Sequence, residues 1–390
     1  MVLAWAGAAV AATERPGGRA AAACGSLVAA ALALPGAACA QMAPGPGLVS
    51  FKWLDYNDRQ PGFDRISVRS PSVLVALPIG ERWGVDAGYT ADSVSGASPR
   101  WHTSISSASR MSDQRRAGDV KVTRYGDRHA ISVGVAVSGE NDFDSRALSL
   151  HGVWNSDDNN RSWDAAIAYT TDRIGSVNDP TLDEHRRTFE VTAGVTQALS
   201  RTDIVQFGLT YASGSGYYSD PYKQIDIRPD SREQTIAVLR WNHHFEATDI
   251  SLRASWRGYR DSFGIRSHTL TLEPAFAVSE QFTIVPSLRL YTQSAADFYY
   301  DPVYSFVGAP YPPGWFEAPP DYLSPDQRLA AFGAITVGVK FIARIGELWT
   351  ADLRIEGYEQ RSSWRVGGAG SPGLEPLSAT FVQLGISRRF

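Results

Sequence analysis

The 390-residue chain is 43% hydrophobic and 20% charged, with a formal net charge of −4. That balance lacks the basic excess of a nucleic-acid binder, and no nucleic-acid partner is expected. Aromatics are plentiful (11 Trp, 16 Tyr, 16 Phe) beside only 3 Met, a bias toward strands over helices.

The first predicted element is a targeting segment. AAAACGSLVAAALALPGAACA (20–40) is an apolar run behind Arg15 and Arg19 that closes on Ala38-Cys39-Ala40, a small-x-small cleavage pattern. A signal peptide is expected over 1–40, cleaved near Ala40/Gln41, with a short periplasmic segment at 41–46. The long stretch ahead of Arg15 leaves the translation start open. Cys39 as a lipid anchor is disfavoured by Gly36, which stands where a Leu-like residue is usual. Both cysteines, Cys24 and Cys39, lie in this segment, so the mature protein would have neither a disulfide nor a thiolate metal site. No later stretch approaches 18 consecutive apolar residues, which excludes a helical span.

From residue 47 onward, apolar and polar residues alternate with period two. The pattern predicts strands at 47–56, 66–78, 83–93, 117–125, 129–138, 146–155, 162–172, 188–199, 203–213, 234–245, 248–258, 267–278, 282–292, 328–342, 348–358 and 377–390. Every second connection is short (80–82, 126–128, 156–161, 200–202, 246–247, 279–281, 344–347). Most of the others are long, including 94–116, 173–187, 214–233, 293–327 and 359–376. This alternation predicts an all-β fold over 47–390: a transmembrane antiparallel up-and-down barrel of about 16 strands (range 14–18), of bacterial outer-membrane type. Both termini would be periplasmic and the long loops extracellular. Trp83, Trp163, Phe282, Trp349, Tyr125 and Phe245 flank the short turns, as a periplasmic aromatic girdle would. Pro274 and Pro286 lie symmetrically about the 279–281 turn and predict a local bulge or unpaired patch. Pro71 raises the same expectation in the second strand.

The polar faces of the last strands carry Arg253, Arg257, Glu273, Arg289, Lys340, Asp352, Arg354 and Glu356. These are the candidate lumen-lining residues. They suit a selective pore and a salt-bridged wall equally. His243 and His244 are adjacent in a strand and so point to opposite faces. His268 beside Ser267, and His102 near serines, read as ordinary loop-edge residues. Neither a nucleophile elbow nor a His-Glu-x-x-His motif occurs, and no catalytic residue, cofactor or metal ligand is assigned. The acidic turn SDDNN (156–160) lacks the twelve-residue spacing of a calcium loop.

Several stretches resemble a family of proteobacterial outer-membrane proteins classed as domain of unknown function 3570. They include SRMSDQRRAGDVKVTRY (109–125), RALSLHGVWNSDDNN (146–160), GYYSDPYK (216–223), LRWNHHF (239–245), YRDSFGIRSHT (259–269) and GSPGLEPLSATF (370–381). The resemblance implies an outer-membrane location and no particular activity. The expected function is a channel or transport component for small polar solutes. The alternatives are a non-conducting scaffold of an envelope or export assembly and, third, a lipid-modifying enzyme. Expected partners are outer-membrane lipid and lipopolysaccharide, a small polar solute, and the barrel-assembly machinery during biogenesis. Val382, Leu384, Ile386 and Phe390 form the apolar row of the final strand, the expected assembly signal. Arg388 departs from that signal's usual pattern.

Overall fold

A computed structural model describes residues 43–97, 110–223, 225–301 and 318–390, so the expected signal peptide lies outside the described residues. The strands are β1 (Leu48–Gln60), β2 (Phe63–Ile79), β3 (Trp83–Ala97), β4 (Arg110–Tyr125), β5 (His129–Gly139), β6 (Phe143–Asn155), β7 (Arg161–Ile174) and β8 (Glu184–Ala198). They continue as β9 (Asp203–Gly216), β10 (Ser231–Phe245), β11 (Ile250–Asp261), β12 (Arg266–Ala277), β13 (Phe282–Gln293), β14 (Phe332–Ile345), β15 (Trp349–Arg361) and β16 (Leu377–Arg389). Each pairs antiparallel with the next, and β1 pairs with β16 from Leu48↔Arg389 to Arg59↔Ser378, closing the barrel. Closure leaves no strand edge, the condition for crossing lipid with every ladder satisfied.

All sixteen predicted strands are present. Many run further toward the long loops than the apolar alternation reached. In β1 the outward row passes from Val49, Phe51 and Trp53 to Asp55, Asn57 and Arg59, so the strand continues beyond its apolar part. Three connections at this loop end are short after all: 61–62, 140–142 and 262–265. β14 starts at Phe332 rather than 328. The Asp326 side chain accepts from the Arg328 backbone N–H and caps a 3-10 turn, Gln327–Leu329, that displaces the start of the strand.

The exterior is apolar around the barrel. Val133, Val135 and Val137 on β5 are 50, 51 and 59% exposed, and Leu148, Ile167, Leu209 and Val337 are similarly open. Trp83, Trp163, Trp349 and Phe245 face outward at the turn end, and Phe282 stacks on Phe341. Tyr125 is a correction to the expected girdle. It falls on the inward row of β4, where its ring packs over Gly84, because closeness to a turn does not fix which side of the pleat a residue takes. A second aromatic row, Tyr89, Tyr169, Phe189 and Tyr211, lies on the outer face nearer the loop end. Trp163 and Tyr169 are six residues apart, about 20 Å of strand. Arg124, Arg161 and Arg388 lie over the rings of Trp83, Trp163 and Trp349 at 5.6–5.8 Å. The Arg388 departure is therefore accommodated by a cation–π contact.

The prolines produce unpaired patches without bulges. Between β12 and β13 the ladder runs to Leu272↔Leu288 and resumes in the same register at Phe276↔Ile284. Pro274 thus falls opposite Pro286, so neither carbonyl there has an N–H to accept from, while pairing to β11 and β14 continues past both. Likewise the β2–β3 ladder skips from Arg69↔Ser93 to Ser72↔Thr90 beside Pro71. Placing two prolines opposite each other confines the loss to one window of the wall. The double variant Pro274→Val/Pro286→Val is expected to restore two hydrogen bonds and raise stability by about 1–3 kcal/mol. Urea unfolding from detergent checks this, and each single variant should recover about half.

Candidate functional site: a polarised lumen beneath a loop cap

All eight sequence-predicted residues fall on the inward rows. In register, Arg253 lies across from Glu273 and Lys340 across from Arg354. Glu273 is 3.7 Å from Arg253 and 3.9 Å from Arg354; Arg354 Nε donates to Glu356 at 2.6 Å, and Lys340 lies 3.9 Å from Asp352. Arg257 lies 5.5 Å from the Tyr259 ring, and Arg289 stands across from Thr271 and Thr336. The structure also brings Lys52 of β1 to this wall: Gly385 separates it from Asp352 in register and leaves the Asp352 carboxylate room to lean across.

The remaining inward charges were not singled out from the sequence, and they segregate. Along β10–β16 and β1, between the collar and the turn-end residues Arg344 and Arg389, the described inward cations are Arg240, Arg253, Arg257, Arg289, Lys340, Arg354 and Lys52, against Glu273, Asp352 and Glu356. That arc carries a net charge of +4. Along β3–β9, leaving aside the Asp172–Arg186 pair and Glu184 at the loop end, the inward carboxylates are Asp86, Asp92, Asp119, Asp164 and Glu190, against Arg115 and Lys121, a net charge of −3. Arg115 and Lys121 pair with Asp92 (2.9 Å) and Asp86 (2.8 Å). The two walls therefore face each other with opposite sign. Such a lumen holds a transverse field, strengthened by the low dielectric of the surrounding wall.

At the loop end a recurring motif ties the wall to the loops. On β1, β11, β13 and β15 an inward tyrosine donates its hydroxyl to the next inward side chain of its own strand. The pairs are Tyr56–Asp58 (2.8 Å), Tyr259–Asp261 (2.8 Å), Tyr291–Gln293 (2.6 Å) and Tyr358–Gln360 (2.8 Å). Three of the acceptors then hold chain outside their own strand. Asp58 binds Arg65 and the Ile66 N–H; Asp261 accepts from the Phe263 and Ile265 N–H groups; Gln293 donates to the Arg328 and Ala330 carbonyls. Aromatic packing joins neighbouring strands of this collar, with Tyr56 on Phe381 at 4.7 Å and Tyr291 on Phe332 at 5.6 Å. The sequence signal is legible in retrospect as Tyr-x-Asp or Tyr-x-Gln at strand ends.

Above the collar, the described parts of two loops, 217–223 with 225–230 and 294–301 with 318–331, fold into a cap. They are joined by the bridge Ile227↔Leu323 and packed through Phe263, Ile265, Ala296 and Leu329. Its ionic centre is Asp326, which has no solvent exposure. Asp326 accepts from Arg228 Nη2 (2.6 Å) and Arg328 Nε (2.7 Å), with Lys223 at 4.0 Å. Arg228 also donates to Asp226, and Arg328 to Asp220 (2.8 Å). Burial alone would raise the Asp326 carboxyl; the charges of Arg328, Lys223 and Arg228 together outweigh it and hold it well below the usual carboxylate range.

Asp220, Asp226 and Asp326 place carboxylate oxygens within 4.8 Å of one another, close enough for a shared cation. Lys223, Arg228 and Arg328 already balance the three charges, so the cluster is an internal salt-bridge core with no charge left for a metal. The acidic turn at 156–160 is likewise structural: Asp158 accepts from Ser156 and from the backbone and side chain of Asn160, with Asn159 at φ 55°. His243 faces outward between Trp241 and Phe245 and contacts Asp203, while His244 turns inward to Ser251. His268 stacks on Trp256 outside, and Ser267 is buried inside, so the two form no dyad. His102 lies outside the described residues. Val382, Leu384, Ile386 and Phe390 form the outward row of β16 and its end; Phe390 donates its N–H to Gly47 and packs its ring on that glycine.

The family model described as protein of unknown function (DUF3570) matches residues 106–185 and 178–384, more than half of the chain. The chain belongs to the DUF3570 family. A comparison with curated proteins found no match. Among solved structures, a bacterial polysaccharide outer membrane secretin is similar at 9% identity and TM-score 0.50, covering 88% of this chain and 98% of that one. The siderophore receptor PirA from Pseudomonas aeruginosa aligns at 11% identity and TM-score 0.47, and CdiB from Acinetobacter baumannii at 8% and 0.47. These alignments cover 87% and 86% of this chain but only 62% and 60% of those. The first likeness shows a shared barrel fold, and at such identity it shows nothing finer.

Proposed function

We propose that this DUF3570 barrel is a bacterial outer-membrane channel for small polar solutes, with zwitterions favoured. The observation that carries the reading is the segregation of lumen charge, +4 on one wall against −3 on the other. A solute bearing an ammonium and a carboxylate aligns across such a field, whereas a neutral solute of equal size gains nothing from it. The apolar exterior between two aromatic rows fits a bilayer. The long loops would face outward among lipopolysaccharide, and both termini would face the periplasm. Liposome swelling tests the proposal. Glycine and small zwitterionic amino acids should enter faster than neutral polyols of equal mass, and Arg253→Glu/Arg257→Glu should erase the difference. No swelling with any solute would refute it.

The buried ionic centre of the cap favours a second reading, a non-conducting scaffold of an envelope assembly. That reading predicts no swelling even when the cap is unlatched by Asp326→Ala.

A further inference from the structure

Glu190 is the exception among the buried acids. Every other acidic side chain buried among the described residues, from Asp58 on β1 to Glu356 on β15, has an arginine or lysine within salt-bridge distance. Glu190 is 7% exposed, points into the lumen from the middle of β8, and its Oε1 has no hydrogen-bond partner. A carboxylate withdrawn from water without a partner is unfavourable unless a cation or a proton neutralises it.

The surroundings supply room and neutral oxygens and lack a counter-charge. Across from Glu190 stand Ala168 on β7 and Ala212 on β9, and the next inward pair is Thr192 with Thr210, whose hydroxyls are 2.9 Å apart. Above, Tyr218 of the cap lies over Gly214, with Arg186 against its ring at 5.2 Å. Arg186, the nearest inward cation of β8, is engaged by Asp172 (2.9 and 2.6 Å), four positions above Glu190. Asp164 lies beside Gly194, four positions below, and β9 contributes no inward charge. An alanine floor, threonine hydroxyls and one anionic oxygen pair suit a small monovalent cation. Divalent ions demand more anionic ligands than this.

We infer that Glu190, with the Thr192 and Thr210 hydroxyls, forms a binding site for a small monovalent cation, an alkali ion or ammonium, in the throat beneath the cap. The site stands on this geometry whether or not the lumen conducts.

Thermal unfolding of the full-length protein in detergent tests it at constant ionic strength in potassium, ammonium or N-methylglucamine chloride. The last cation is too bulky for the alanine floor. The wild type should melt several degrees higher in potassium or ammonium than in N-methylglucamine, because a ligand bound only to the folded state stabilises it. Glu190→Gln, which keeps the shape and removes the charge, should melt at one temperature in all three salts. In N-methylglucamine it should melt above the wild type. A wild type indifferent to the cation would overturn the site, as expected of a carboxyl that is simply protonated. A cation dependence that survives in Glu190→Gln would overturn it too, by placing the binding elsewhere. Rubidium anomalous scattering at Glu190 in crystals of the wild type, absent from the variant, gives a readout independent of stability.

Discussion

Replacing Asp326 with alanine is expected to unlatch the cap while leaving the barrel closed. The substitution leaves Arg228, Arg328 and Lys223 with only Asp220 and Asp226 to balance them, one buried positive charge uncompensated, and removes the cap of the 3-10 turn; breaking a buried ion pair in this way costs about 3–5 kcal/mol. Hydrogen exchange read by mass spectrometry should accelerate in 217–230 and 318–331, whereas peptides from β3–β8 should keep their wild-type protection. Asp326→Asn, which retains the shape, should fall between the two. The wild type should show the same loss under acid, and the sign follows from the depressed carboxyl. A group whose folded-state affinity for protons is lowered contributes its full stability above the ordinary carboxylate range and loses it as pH falls through the depressed value. Exchange in the cap should therefore be alike at pH 7 and pH 5, after the usual correction for intrinsic rate. It should increase only below about pH 4.

The second large effect concerns the exterior. Val135 is 51% exposed in the middle of β5, and Val177 is 59% exposed in the 175–183 loop. In water these two positions would tolerate arginine equally. If the apolar belt faces lipid, Val135→Arg should cost about 2–4 kcal/mol in a bilayer, whereas Val177→Arg should stay within about 0.5 kcal/mol. Urea unfolding from liposomes separates them, and equal effects would contradict the lipid-facing assignment of the belt.

The strands were legible because alternation is a local signal: a residue's side of the wall is set by its parity along the strand. The opposed prolines were legible for the same reason, since equal distances from a tight turn place two residues opposite each other. Parity also decides Tyr125: its place beside the turn suggests the girdle, but the pleat turns it inward over Gly84. The segregation of lumen charge was within reach as well. It required tallying the inward residues of β3–β9, such as Asp86, Asp119 and Glu190, as well as those of the last third of the chain. The cap was not legible. Its centre joins Asp226 and Arg228 to Asp326, about a hundred residues away, and nothing in the local pattern of either loop marks that pairing. Tyr-x-Asp and Tyr-x-Gln at strand ends were visible in the sequence, but become meaningful only once the tyrosines are known to face the lumen.

On the proposed function, the polarised lumen is a solute path narrowed by the cap. Single-channel recording in planar bilayers, comparing the wild type with Asp326→Ala, tests it most directly. Discrete wild-type conductance steps are expected, with larger steps in the variant and no increase in acid until the pH falls below about 4. Silent bilayers from both proteins, each verified as folded barrels, would contradict it.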